Sequence, residues 1–142
     1  MIAVRMPIGQ VARRSGVKVP TIRYYEQIGL LPAPPRSDGN RRSYSLDDVR
    51  RLFFIRHARE LGFDLDAIRE LLDLQDDPSR SCAAADAIAR ARLIEVEWRI
   101  ASLVSLKREL ERMLAGCQSG HVADCRVIDT LADHSKCLSD SH

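Results

Sequence analysis

The sequence predicts a mainly α-helical fold in which a small basic helical unit leads into one very long helix and a cysteine-bearing C-terminal segment. Three observations carry this expectation. Residues spaced by seven, Cys82, Ala89, Val96, Leu103, Leu110 and Cys117, with Leu93, Ile100 and Leu114 in the companion row, describe a coiled-coil seam broken only at Asp86 and Lys107. Two short helical patterns separated by Gly16 open the chain. Between them and the next helix lies PAPPRSDGNRRSYS, where proline breaks helix and Asp38-Gly39-Asn40 supplies a turn.

Taken in order, residues 7–15 (PIGQVARRS) form a short helix with Ile8 and Val11 inward, and Gly16 ends it as a C-terminal cap. A second helix begins at Pro20, a residue favoured in a first turn, and TIRYYEQI carries it to Gly29. Two short helices about a tight glycine turn suggest helix-turn-helix, whose second helix enters the major groove of DNA. Thr21, Arg23 and Tyr24 would then face base edges and phosphates, with Arg14 and Ser15 at the end of the first helix on the same surface, while Ile22 and Tyr25 pack inward. The following stretch reads as a β-hairpin wing projecting Arg36, Arg41, Arg42 and Tyr44, placed to clamp the sugar-phosphate backbone or reach into the minor groove. An ordinary charged surface loop is the alternative.

Ser45 with Asp48 forms a capping box that opens a helix through Leu61, with Val49, Leu52, Phe53 and Ile55–Ala58 on its apolar side and Gly62 ending it. Arg50, Arg51, Arg56 and Arg59 keep it basic, and His57 has no metal role. Asp64 or Asp66 caps a shorter helix striped by Leu65, Ile68, Leu71, Leu72 and Leu74, which the start of the long helix is expected to cover. QDDPSR is the one clear linker, and Ser81 caps the long helix. Past Cys117, QSGHVADC reads as a loop, Val127, Ile128 and Leu131 as a short amphipathic helix folding back over it, and LSDSH as a disordered tail.

Cys82 and Cys117 share a stripe of one helix yet lie roughly 50 Å apart at 1.5 Å per residue. Two copies paired antiparallel about an axis near Trp98–Ile100 would bring Cys82 of one beside Cys117 of the other, giving a homodimer with two thiolate sites across the subunit boundary. Cys117, His121 and Cys125, each separated by three residues, offer soft thiolate and imidazole donors suited to zinc, cadmium, lead, mercury or copper(I) rather than to magnesium or calcium. Buried structural cysteines and a redox switch are the other readings of this spacing. Without a CxxC pair, zinc-finger and thioredoxin readings lose most of their support.

Bulk properties agree. Residues 1–62 hold twelve Lys and Arg against five Asp and Glu, a formal +7, and residues 63–142 hold ten against fifteen, a formal −5. The basic half reads as a phosphate-binding surface or, more plainly, as a solvated face. No apolar run reaches membrane-span length and Met1–Met6 is too short for a signal peptide, so a cytoplasmic location is expected, with no membrane partner and with the four cysteines as thiols or ligands rather than disulfides. No phosphate-binding glycine loop or credible Ser/His/Asp set argues for an enzyme.

The stretches IGQVARRSGVKVPTIRYYEQIGLLPAPPRSDGNRRSY and HARELGFDLDAIRELL, the long helix, and Cys82, Cys117 and Cys125 together resemble a metal-sensing member of the mercury-resistance regulator (MerR) family of transcription factors, over nearly the whole chain. The resemblance implies a winged helix-turn-helix DNA-binding domain over 1–75 (helix-turn-helix about 8–28, wing about 33–45), a linker at 76–80, an antiparallel coiled-coil dimerisation helix over 81–117, and a metal-binding loop, short helix and tail over 118–142. It implies a homodimer on promoter DNA that represses RNA polymerase when apo and, with metal bound, distorts an over-long promoter spacer to activate a heavy-metal efflux or resistance gene. The metal ligands would be Cys82 from the partner subunit, Cys117, Cys125 and His121, with Cys137 as the alternative fourth donor. A cysteine at position 82 resembles the sensors of divalent zinc, cadmium, lead or mercury rather than of copper(I). A thiol redox regulator using Cys117 and Cys125 is the competing reading.

Overall fold

The computed structural model describes residues 4–37, 39–116 and 120–133. Expectations placed on Asp38, Cys117, Cys137 and the tail lie outside these residues. The chain divides into two compact units, 1–88 and 89–142.

The first unit contains β1 (Arg5–Met6), α1 (Ile8–Ser15), α2 (Val19–Gln27), β2 (Tyr44–Ser45), α3 (Leu46–Glu60) and α4 (Leu65–Gln75). Local chemistry sets most boundaries. Gly16 ends α1 at φ 74°, a left-handed conformation that costs glycine nothing, and its N–H reaches the Ala12 carbonyl. α2 starts at Val19 with Pro20 in its first turn. It closes through Gly29 at φ 81° and a Leu30 N–H to Tyr25 carbonyl bond of 2.9 Å. Ser45 and Asp48 form the reciprocal capping box at the head of α3. Asp64, rather than Asp66, caps α4 through the Ala67 N–H.

Val11, Ile22, Leu30, Leu31, Leu52, Ile55, Ile68 and Leu72 form one core with Met6 and Tyr44. The core departs from two expectations. Ile68 and Leu72 of the α4 stripe are covered within this core beside Leu52 and Ile55 of α3, and Leu65 packs against it, so these three do not depend on the start of the long helix, while Leu71 and Leu74 are half-buried outside the core. Phe53 does not lie on the buried side of α3: it is exposed and stacks edge-on against His57, while Phe54 packs partly on the core. The wing is a short hairpin. Arg36 and Arg42 make an isolated antiparallel bridge, and the Ser37 N–H bonds the Arg41 carbonyl at 2.6 Å. Its return arm continues into β2, which pairs antiparallel with β1, Met6 opposite Tyr44. That two-stranded sheet has no counterpart in the sequence reading, because two residues are too few to show a period.

α5 (Ala83–Ala115) runs unbroken for 33 residues, about 50 Å at helical rise. Within the second unit, a 3-10 turn (Val122–Asp124) and α6 (Arg126–Ala132) follow it. α6 folds back on the end of α5. Glu109, Met113 and Thr130 are the buried residues there, and the Arg126 side chain lies so close to Gly116 that a Cβ at 116 would meet its Cβ at 2.9 Å. The inward side of α6 holds Thr130 and, in part, Val127, whereas Ile128 and Leu131 are exposed, against the expected face.

Candidate nucleic-acid interface and thiol sites

α2 lies between two arginine-lined hollows. On one side Arg23 meets the wing, where Arg36, Arg41 and Arg42 line a cleft of about 340 Å³. On the other, Thr21 and Tyr25 meet Lys18, Arg56, Arg59 and Glu60 across a cleft of about 400 Å³, where Glu60 pairs with Arg56 at 3.1 Å and leaves Lys18 and Arg59 as the further cations. The Arg56 guanidinium sits over Gly16 and donates to the Ser15 carbonyl at 3.4 Å. Arg23, Tyr24 and Arg14 are exposed and Thr21 is half-buried. A helix offering side chains between two cationic flanks suits a duplex groove bordered by two phosphate strands. Arg23 and Arg41 carry no side-chain hydrogen bond or ion pair among the described residues, so both guanidinium groups are available to an anion.

Two residues expected on this surface are buried instead. Ser15 is fully enclosed, and its hydroxyl accepts from the Val17 N–H, so it shapes the turn between α1 and α2. Tyr44 is also fully enclosed. Its position in β2 turns the ring into the core, and its hydroxyl donates to Glu26. Neither side chain is placed to touch DNA. Arg42 is paired as well, its Nε 3.3 Å from the second Glu26 oxygen. Burial, with Glu26 adding to it, pushes the Tyr44 phenol well above its ordinary value. The approach of Arg56 and Arg59 to the α1–α2 turn was invisible in the sequence, since they lie some forty residues downstream.

The thiols occupy both units. Cys82 is exposed just before α5, its carbonyl receiving the Asp86 N–H at 3.0 Å and its Sγ 3.8 Å from the Asp86 carboxylate. Cys125 is half-buried at the N-cap of α6 and, with His121 and Asp124, lines a hollow of about 210 Å³. Thiolate and imidazole at this hollow suit a soft ion. Among the described residues no three His, Cys, Asp or Glu side chains gather into a group that could hold a metal ion.

Residues 6–75 match the MerR HTH family regulatory protein model, and residues 49–113 match a second, MerR, DNA binding. The chain belongs to the MerR family of transcriptional regulators. This MerR-family chain is 38% identical over 130 residues to heavy metal-dependent transcription regulator 2 of Rhizobium meliloti (strain 1021), covering 92% of this chain and 88% of that protein. It is 42% identical over 127 residues to ZntR, an HTH-type transcriptional regulator of Escherichia coli (strain K12), covering 87% and 90%. Its fold is similar to that of the transcription regulator PbrR691 from Ralstonia metallidurans CH34 in complex with lead(II), with a TM-score of 0.76, 36% identity, and 89% and 98% of the two chains covered. Residues 6–75 of this MerR-family chain thus carry the helix-turn-helix DNA-binding domain, and the long helix α5 comes after them in sequence, in a family of regulators rather than of enzymes. Among the described residues no helix is long and apolar enough to cross a membrane.

Proposed function

We propose that the protein is a homodimeric, metal-responsive regulator of transcription that binds duplex promoter DNA through α2 and the wing. It represses when apo. On binding a soft divalent ion, zinc, cadmium, lead or mercury, it activates a heavy-metal efflux or resistance promoter by distorting the DNA seen by RNA polymerase. The observation that carries this reading is the long helix with a thiol at its head and an apolar seam left open: Leu93, Ile100, Leu103, Leu110 and Leu114 are all more than half exposed. Such a seam calls for a partner helix. An antiparallel copy would bring Cys82 of the partner subunit to Cys117 and Cys125, with His121 as a further donor. Two relatives speak for the metal: one is named heavy metal-dependent, and the other was solved with lead(II).

Bound at these residues, the ion would supply a crosslink between thiolates of two chains. This chain's part is to hold the donors at the two ends of a rigid helix, so that the ion favours one relative setting of the DNA-binding units over the other.

A reporter driven by the protein's own promoter, challenged with zinc, cadmium, lead, mercury and copper(I), tests this reading. A divalent soft ion is expected to induce on the order of 5–150-fold, the range of a coupling of about 1–3 kcal/mol. Cys82→Ser should bring that ratio close to one while leaving DNA binding intact. An unchanged response in Cys82→Ser would remove the cross-subunit site, and induction by peroxide alone would favour the Cys117/Cys125 redox reading.

A further inference from the structure

Glu26 is an acid set beside a cleft lined by Arg23, Arg36, Arg41 and Arg42. It sits in the last turn of α2 with its side chain only 7% exposed. One oxygen accepts the Tyr44 hydroxyl and the other pairs with Arg42 Nε at 3.3 Å. Both partners belong to the return arm of the wing, and Tyr44 is anchored below by the core and by the β1–β2 pairing. A buried carboxylate is costly unless its oxygens are taken up, and here both are. The same group lies beside the cleft where Arg23, Arg36 and Arg41 converge, a place where a negative charge opposes phosphate.

We propose that Glu26 is a positioning residue that clasps the wing to the recognition helix, with Arg42 serving as a strut between them rather than as a phosphate contact. Arg36 and Arg41 are then held ready beside Arg23 before DNA arrives, so that less ordering is required on binding. This rests on the reading of the first unit as a duplex-DNA binder.

The proposal and simple electrostatics predict opposite signs for Glu26→Gln. Deleting a negative charge from a phosphate-facing surface should strengthen binding; releasing the clasp should weaken it. The probe is a fluorescein-labelled duplex selected on the wild-type protein from a random-sequence pool, titrated over a series of salt concentrations. Glu26→Gln is expected to weaken affinity roughly tenfold, the order for ordering two long side chains on binding rather than before it. Arg42→Gln should also weaken it, and the double variant should be no worse than the weaker single, because the two act through one contact. As a reference, Arg41→Ala should lower the salt slope by about 0.9, as loss of one phosphate contact does. Thermal unfolding establishes that each variant is folded. If Glu26→Gln fails that check, Tyr44→Phe, which removes one hydroxyl and no charge, takes its place and should weaken binding in the same direction. Affinity equal to or above wild type in the folded variant, or additive losses in the cycle, would overturn the proposal. Failure of the wild-type protein to select any duplex would instead overturn the DNA-binding reading.

Discussion

A phenol buried against a carboxylate holds its proton, and at Tyr44 this links pH to stability. Burial first, and Glu26 second, raise the folded group well above its ordinary 10.0, with Arg42 and Arg23 pulling the other way. Above pH 10 the unfolded chain loses this proton while the folded chain keeps it. The Tyr44 contribution to stability is therefore complete below that pH and declines as pH rises towards the folded value. Urea unfolding between about pH 9 and 11 should show Tyr44→Phe less stable at the neutral end, with an alkaline slope shallower by up to about 1.4 kcal/mol per pH unit. If both proteins have the same slope, the hydroxyl is not held as described. Ser15 and Tyr44 also mark where residue type misleads. Both have side chains that commonly contact DNA, and both are enclosed, because the turn after α1 and the β1–β2 pairing aim them inward.

Among the elements, those defined by short-range chemistry were readable in advance. The Gly16 stop and the Ser45–Asp48 box each depend on atoms within a few residues, and so does the α4 cap, which the sequence narrowed to Asp64 or Asp66. Ser45→Ala should remove the hydroxyl that accepts the Asp48 N–H and cost about 1 kcal/mol. In a unit of this size that is a fall of roughly 4–8 °C in Tm, and a shift under about 1 °C would mean the box contributes little. The elements missed or misassigned had weaker local marks. β1 is two residues long, and Phe53 sits beside an apolar run in which several helical registers fit equally well. Cover for α4 was expected from the start of the long helix, whereas packing placed Ile68 and Leu72 against α3.

At the scale of the whole molecule, half of the exposed large hydrophobics among the described residues lie along α5, where Trp98 and Leu103 are 74% and 64% exposed. Self-association through this seam is the expected outcome, and Leu103 lies close to the proposed axis. Leu103→Lys would forfeit about 1.5–3 kcal/mol of burial per copy, twice over in a symmetric pair. Analytical ultracentrifugation should then find a dimer in the wild-type protein and a largely monomeric variant. A wild-type monomer, or an unaffected dimer in the variant, would place any interface elsewhere.

The amino-acid order alone was enough to reveal the six α-helices to within a residue or two, the Gly16 stop, the Ser45–Asp48 box and the basic front half, since periodicity and capping act over a few residues. Tertiary structure decided which arginines converge around α2, that Arg56 and Arg59 reach the helix-turn-helix, and that Tyr44, Arg42 and Glu26 meet. Those outcomes depend on burial and on contacts between distant segments, which no local pattern encodes.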